Sequence, residues 1–92
     1  MVDIDPDLKH LLGPYLERRQ QDLVILQAAL KASDFSTIAM IGHRLRGNAG
    51  NLGLDDLGAL GAQLENAANA KDITAASAIV DKIKLSLQTL ES

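Results

Sequence analysis

Apolar residues recur along this chain at intervals of three and four, the spacing that gathers side chains on one face of an α-helix. From Phe35 to about Leu52 the stripe is Phe35, Ile38, Ile41, Leu45, Ala49 and Leu52. From about Asp55 to Ala70 it is Leu57, Leu60, Leu64 and the pair Ala67 and Ala68. After a break at Lys71-Asp72 it becomes Ile73, Ala76, Ile79 and Val80, Ile83, Leu87 and Leu90. A first long helix opens at Pro14 and runs to about Ala32 on the stripe Leu16, Leu23, Leu26 and Leu30, with Tyr15 at one edge. Val24 and Ile25 fall off that stripe. They are placed to cover a short N-terminal helix that starts at Asp5-Pro6-Asp7 and is interrupted at Gly13-Pro14. Ser33-Asp34 supplies an N-cap for the second long helix, and Gly50-Asn51-Leu52-Gly53 stops it. Asp55 and Asp56 suit the start of the third. No segment alternates with period two, and no repeat, linker or low-complexity tract appears. The pattern predicts an all-α fold, an antiparallel up-down-up-down four-helix bundle with a short extra N-terminal helix.

Composition narrows this further. The 92 residues fit one domain spanning 1–92 and leave no room for two. Tyr15 and Phe35 are the only aromatic residues, so the core is left to Leu, Ile, Val and Ala, which suits helix-on-helix packing. The absence of cysteine excludes a disulfide framework, a thiol nucleophile and thiolate metal sites. No apolar run approaches the roughly 20 residues of a membrane span. The acidic start Met1-Val2-Asp3-Ile4-Asp5 lacks the basic and apolar regions of a signal peptide. A cytoplasmic protein without membrane contact is expected. The net charge of −3 carries no basic footprint of a nucleic-acid binder. One local exception matters: from Phe35 to Leu54 the chain holds Arg44 and Arg46 and no acid at all.

That stretch also contains His43. At 100° per residue it lies roughly 155° from the centre of its helix's apolar stripe, so it faces water. Gly47 at i+4 and Gly50 at i+7 fall beside it. Each glycine inside a helix costs about 1 kcal/mol relative to Ala, and this helix also carries Gly42. A bare backbone next to an exposed imidazole fits a large partner or group that must reach the ring. Gly58, Gly61 and Glu65 share a flank of the third helix, where the glycines would admit a close neighbour and Glu65 could face it near His43. An unperturbed imidazole titrates near pH 6.5, which leaves one ring nitrogen free to attack while the other holds a proton. A carboxylate such as Glu65 would fix that tautomer, and Arg46 could neutralise phosphate oxygens.

Duller readings fit the other candidates. His10 has no special company and reads as a surface residue. The run Gly47 to Gly53 lacks the Gly-Lys-Ser/Thr and the preceding strand of a nucleotide loop. Two histidines far apart and no cysteine make a poor metal site. Neither Ser36 nor Ser77 stands in a nucleophile elbow. Arg18-Arg19 beside Gln20-Gln21 reads as a solvated helix face, with a small docking patch as the other reading. Met40, about 60° from His43, is an ordinary surface residue or part of an adaptable partner contact.

The segment Ile41-Gly42-His43-Arg44-Leu45-Arg46-Gly47-Asn48-Ala49-Gly50-Asn51-Leu52-Gly53 resembles the signature of histidine-containing phosphotransfer (HPt) domains, His-x-Leu-Lys-Gly followed by small residues and a second Gly-containing turn. Tyr15-Leu16-Glu17-Arg18-Arg19, Asp34-Phe35 and Leu64-Glu65 also agree with such domains, and the resemblance extends from about Leu12 to Leu90. It implies that His43 is the phosphoacceptor and that Arg46 replaces the usual lysine that stabilises the phosphoryl group. Gly47 and Gly50 would keep the approach open, Glu65 would hydrogen-bond the imidazole, and Met40 and Arg44 would meet the partner. Arginine for lysine changes shape and hydration at that position but keeps the charge. The resemblance further implies a phosphotransfer intermediate with no kinase, ATPase, cofactor or metal site of its own. It would be a monomer whose partners are response-regulator receiver domains and a sensor histidine kinase. Two rival readings stand beside it. One is a phosphoacceptor domain cut from a larger sensor or chemotaxis-type kinase, against which the initial Met1 and the end at Ser92 weigh slightly. The other is a helical adaptor that never carries phosphate.

Overall fold

The structure is a computed structural model that describes residues 10–91. Four helices follow one another: α1 Leu12–Ala32, α2 Phe35–Asn51, α3 Asp55–Asn69 and α4 Ile73–Glu91. No strand occurs among the described residues. The expected N-terminal helix from Asp5 lies outside them, apart from a 3₁₀ turn at His10 and Leu11 that leads into α1.

One boundary differs from the sequence expectation. Gly13-Pro14 does not interrupt the chain, because α1 already starts at Leu12. Pro14 therefore falls in the first turn, where backbone N–H groups have no intrahelical partner and a missing one costs nothing.

The three joints share one construction. Asp34 N–H donates to Ala29 C=O, Leu54 N–H to Ala49 C=O and Asp72 N–H to Ala67 C=O, each about 2.9 Å. The residue before each donor is left-handed: Ser33 at φ 51°, Gly53 at φ 74° and Lys71 at φ 56°. This is the Schellman stop, which satisfies the last carbonyls of a helix. The donor residue then starts the next helix at once. Asp34 caps α2 by accepting from Thr37 N–H at 3.2 Å, and Asp72 caps α4 by accepting from Ala75 N–H at 3.0 Å. Leu54 has no capping side chain, but Asp55 and Asp56 place negative charge in the first turn of α3.

The helices pack as α1 on α2, α2 on α3, α3 on α4 and α4 on α1. The buried core runs through all four, with Leu26, Ile38, Ile41, Leu57, Leu64, Ile83 and Leu87 fully enclosed, and no described polar or charged residue is buried. The stripes of α2 and α4 lie where the spacing puts them. That of α1 is rotated. Tyr15, Leu23, Leu26 and Ala29 are its buried residues, whereas Leu16 and Leu30 are only half-buried. Tyr15 thus belongs to the core rather than its edge. The reason is its length: the ring reaches inward and its hydroxyl donates to Asn48 Oδ1 at 2.7 Å, so the polar tip is satisfied. Val24 and Ile25 are exposed, and the segment they were expected to cover lies outside the described residues.

The seam between α2 and α3 is the tightest. A Cβ on Gly42 would stand 2.7 Å from Gly61 O and 2.8 Å from Glu65 N. A Cβ on Gly61 would stand 2.7 Å from Arg46 N and 2.8 Å from Gly42 O. Gly58 sits against Arg46 O and Ala49 with ordinary spacing, 3.4 Å and 3.7 Å. Positions rising along α2 therefore meet positions falling along α3.

Candidate functional site

The outward face of α2 is fixed by its inward one. Burying Ile38, Ile41, Leu45 and Ala49 turns His43 to water, and its side chain is 60% exposed. The close α2–α3 seam then brings Glu65 alongside. Nδ1 of His43 lies 3.1 Å from Glu65 Oε2, and the Glu65 side chain is only 23% exposed. Arg46, one turn further on α2, completes a triangle. Its Nη2 is 3.5 Å from His43 Nδ1 and its Nη1 is 3.9 Å from Glu65 Oε1.

The hydrogen-bond inventory decides between two tautomers. Nδ1 either donates to Glu65 or accepts from Arg46, and it cannot do both. The contact to the carboxylate is the shorter, and a hydrogen bond to an ionised acceptor is the stronger kind. On these contacts the neutral ring pairs best with Glu65 when Nδ1 carries the proton, which leaves Nε2 as the free nitrogen. Arg46 is left as a cation beside the ring, within reach of an incoming anion.

Arg44 leans the other way. Its Nη2 is 4.0 Å from Asp22 Oδ1 on α1, and Asp22 Oδ2 is 2.8 Å from Arg19 Nε. That nitrogen is buried and the contact is too poorly aligned to count as a hydrogen bond. The Arg19 guanidinium also stacks over the Tyr15 ring, 4.8 Å from its centroid. Burial of the phenol raises the Tyr15 pKa above its ordinary value, with Arg19 opposing the shift. The acid-free stretch of α2 is thus flanked in space by two acids that its sequence lacks, Asp22 from α1 and Glu65 from α3.

The α2 glycines divide into two kinds. Gly42 is buried against α3, so it does not lie bare beside the imidazole as its sequence position suggests. Gly47 and Gly50 are exposed, and an added Cβ on either would meet nothing within 4 Å. Met40 is exposed on the same outward face. The Tyr15–Asn48 bond escaped the sequence reading, because nothing in either helix's own spacing pairs residues 33 apart; the Arg19 stack on Tyr15 lies within α1 at the i,i+4 spacing that brings helical side chains together. A cleft of about 400 Å³ opens between α1 and the end of α2, lined by Tyr15, Arg18, Arg19 and Asn48 among others; His43 is not part of it. The imidazole stands on an open surface rather than in that cleft. Among the described residues no group of three His, Asp or Glu side chains gathers as a metal site, and no helix is long and apolar enough to cross a membrane.

The family model described as Hpt domain covers residues 10–92. No curated protein and no solved structure matches the chain.

Proposed function

The chain belongs to the Hpt domain family, whose function is of the phosphotransfer type in two-component signalling, and on that premise we propose that His43 accepts a phosphoryl group from a receiver-domain aspartate and returns it. The observation that carries this is the 3.1 Å contact of His43 Nδ1 with Glu65, on an imidazole otherwise open to solvent. In the step, the Nε2 lone pair attacks the phosphorus of the aspartyl phosphate. The N–P bond forms as the acyl phosphate P–O bond breaks, and the aspartate leaves as its carboxylate. The ring then carries a positive charge with its proton still on Nδ1, next to the Glu65 carboxylate that favours it. Arg46 offers its donors to the phosphoryl oxygens. Phosphoryl transfer has a loose transition state in most analyses, so positioning and charge neutralisation suffice, with magnesium and an acidic pocket supplied by the receiver. Gly47 and Gly50 leave the approach to Nε2 clear, while Met40 and Arg44 meet the receiver.

The same reading takes the four helices as an up-down-up-down antiparallel bundle, one domain acting as a cytoplasmic monomer. The ring of neighbouring helices and the three short joints support the bundle topology. The test is a label-transfer experiment. Radiolabelled phosphoryl on a receiver domain should move to the chain when the two are mixed, and move back when fresh receiver is added in excess. Label that stays on the receiver with the intact chain, or reaches a His43→Gln variant equally well, contradicts the proposal.

A further inference from the structure

All three polar side chains of the candidate site hang from one small patch of backbone. Gly42 precedes His43 and faces the N and Cα atoms of Glu65; Gly61 faces the N atom of Arg46. We propose that the Gly42–Gly61 contact is a positioning device that sets the α2–α3 spacing so that Glu65 holds the proton on His43 Nδ1. Gly42 and Gly61 are positioning residues in this sense, and neither touches the reacting atoms. The inference rests on the reading of His43 as the phosphoacceptor.

The distances carry it. The atoms that a Cβ would meet at 2.7 and 2.8 Å are backbone atoms, which cannot swing aside as a side-chain tip can. A methyl group at either glycine must therefore part the helices until that contact relaxes to ordinary spacing. The hydrogen bond from His43 to Glu65 is 3.1 Å long. Such a bond is gone by about 3.6 Å, so a few tenths of an ångström separate a held tautomer from a free one. Glu65 has little freedom to follow, being mostly covered and within reach of Arg46 on its other oxygen. Helix propensity alone would not distinguish Gly61 from Gly58, which also lines the seam but stands at ordinary contact distance.

The experiment is ring-nitrogen NMR on the full chain with ¹⁵N-labelled histidine, at a pH where His43 is neutral, beside the rate of phosphoryl uptake from phosphoramidate. The wild type should show His43 protonated on Nδ1. Gly61→Ala should stay helical, lose that preference, and take up phosphoryl about tenfold more slowly, the scale on which orienting partners act. Gly58→Ala should keep both the tautomer and the rate. Glu65→Asp withdraws the carboxylate by one methylene without touching either glycine, and should lose the tautomer as Gly61→Ala does. A folded Gly61→Ala with the wild-type tautomer overturns the inference. If Gly61→Ala does not fold, Glu65→Asp decides: an unchanged tautomer shows that the spacing is not critical and overturns it equally. A wild-type chain that takes up no phosphoryl refutes the phosphoacceptor reading instead, while the tautomer comparison still judges the positioning.

Discussion

At Gly47 and Gly50 the free protein asks for nothing that alanine could not give. Neither has a positive φ, and each has open space where a Cβ would go. Helix propensity alone favours alanine by about 1 kcal/mol at such positions. On the proposed function, the reason for glycine lies in what approaches the helix. Gly47→Ala should raise thermal stability, by up to about 1 kcal/mol. Gly47→Leu should slow transfer from a receiver by standing beside the imidazole, while the fold survives. Stopped-flow transfer and thermal melts on the two variants check this, and a Gly47→Leu protein that transfers at the normal rate removes the explanation for that glycine. His43, Arg46 and the exposure of the ring were legible in the sequence because a single helix's periodicity places them. Gly42 was not, since its role depends on which residue of α3 it meets.

At the scale of elements, the repeated joint explains why helix ends could be placed to within a residue or two. Each stop combines a left-handed residue with a donor that starts the next helix, and the motifs Ser33-Asp34, Gly53-Leu54 and Lys71-Asp72 carry that signal. Only Gly53 is the residue its backbone prefers. A left-handed non-glycine residue costs roughly 1–2 kcal/mol. Lys71→Gly should therefore stabilise the chain, and Gly53→Ala should destabilise it, by about 1 kcal/mol in denaturant melts. The cap at Asp34 adds a pH dependence. Its hydrogen bonds from the Thr37 hydroxyl and N–H hold the carboxyl below its ordinary pKa. A group depressed on folding contributes stability above its unfolded pKa and loses it as the pH falls through the folded value. The melting difference between wild type and Asp34→Ala should be constant near neutrality and shrink below about pH 4. The start of α1 was misplaced for a related reason: proline reads as an interruption, yet a first helical turn accepts it.

For the molecule as a whole, the bundle was legible because 3.6-residue periodicity is nearly all that a core of Leu, Ile, Val and Ala needs. What the sequence hid is sideways information. The rotation of α1 about Tyr15, the bond from Tyr15 to Asn48 and the approach of Asp22 to Arg44 all arise between helices. Core integrity should dominate stability. Leu64 is fully enclosed and lies one residue before Glu65. Leu64→Ala should cost about 2–5 kcal/mol in chemical unfolding, a large share of the 5–15 kcal/mol typical of a whole domain. His43→Gln, on the solvent face, should change stability by no more than about 0.5 kcal/mol. That contrast between a structural and a chemical residue makes the decisive test clean. The measurement is the intact mass of the chain after mixing with a phosphorylated receiver domain, beside the His43→Gln variant. The account predicts a single acid-labile phosphoryl adduct on the wild type and none on the variant. No adduct on a folded wild-type chain across a panel of phosphorylated receivers, or the same adduct on His43→Gln, would contradict it.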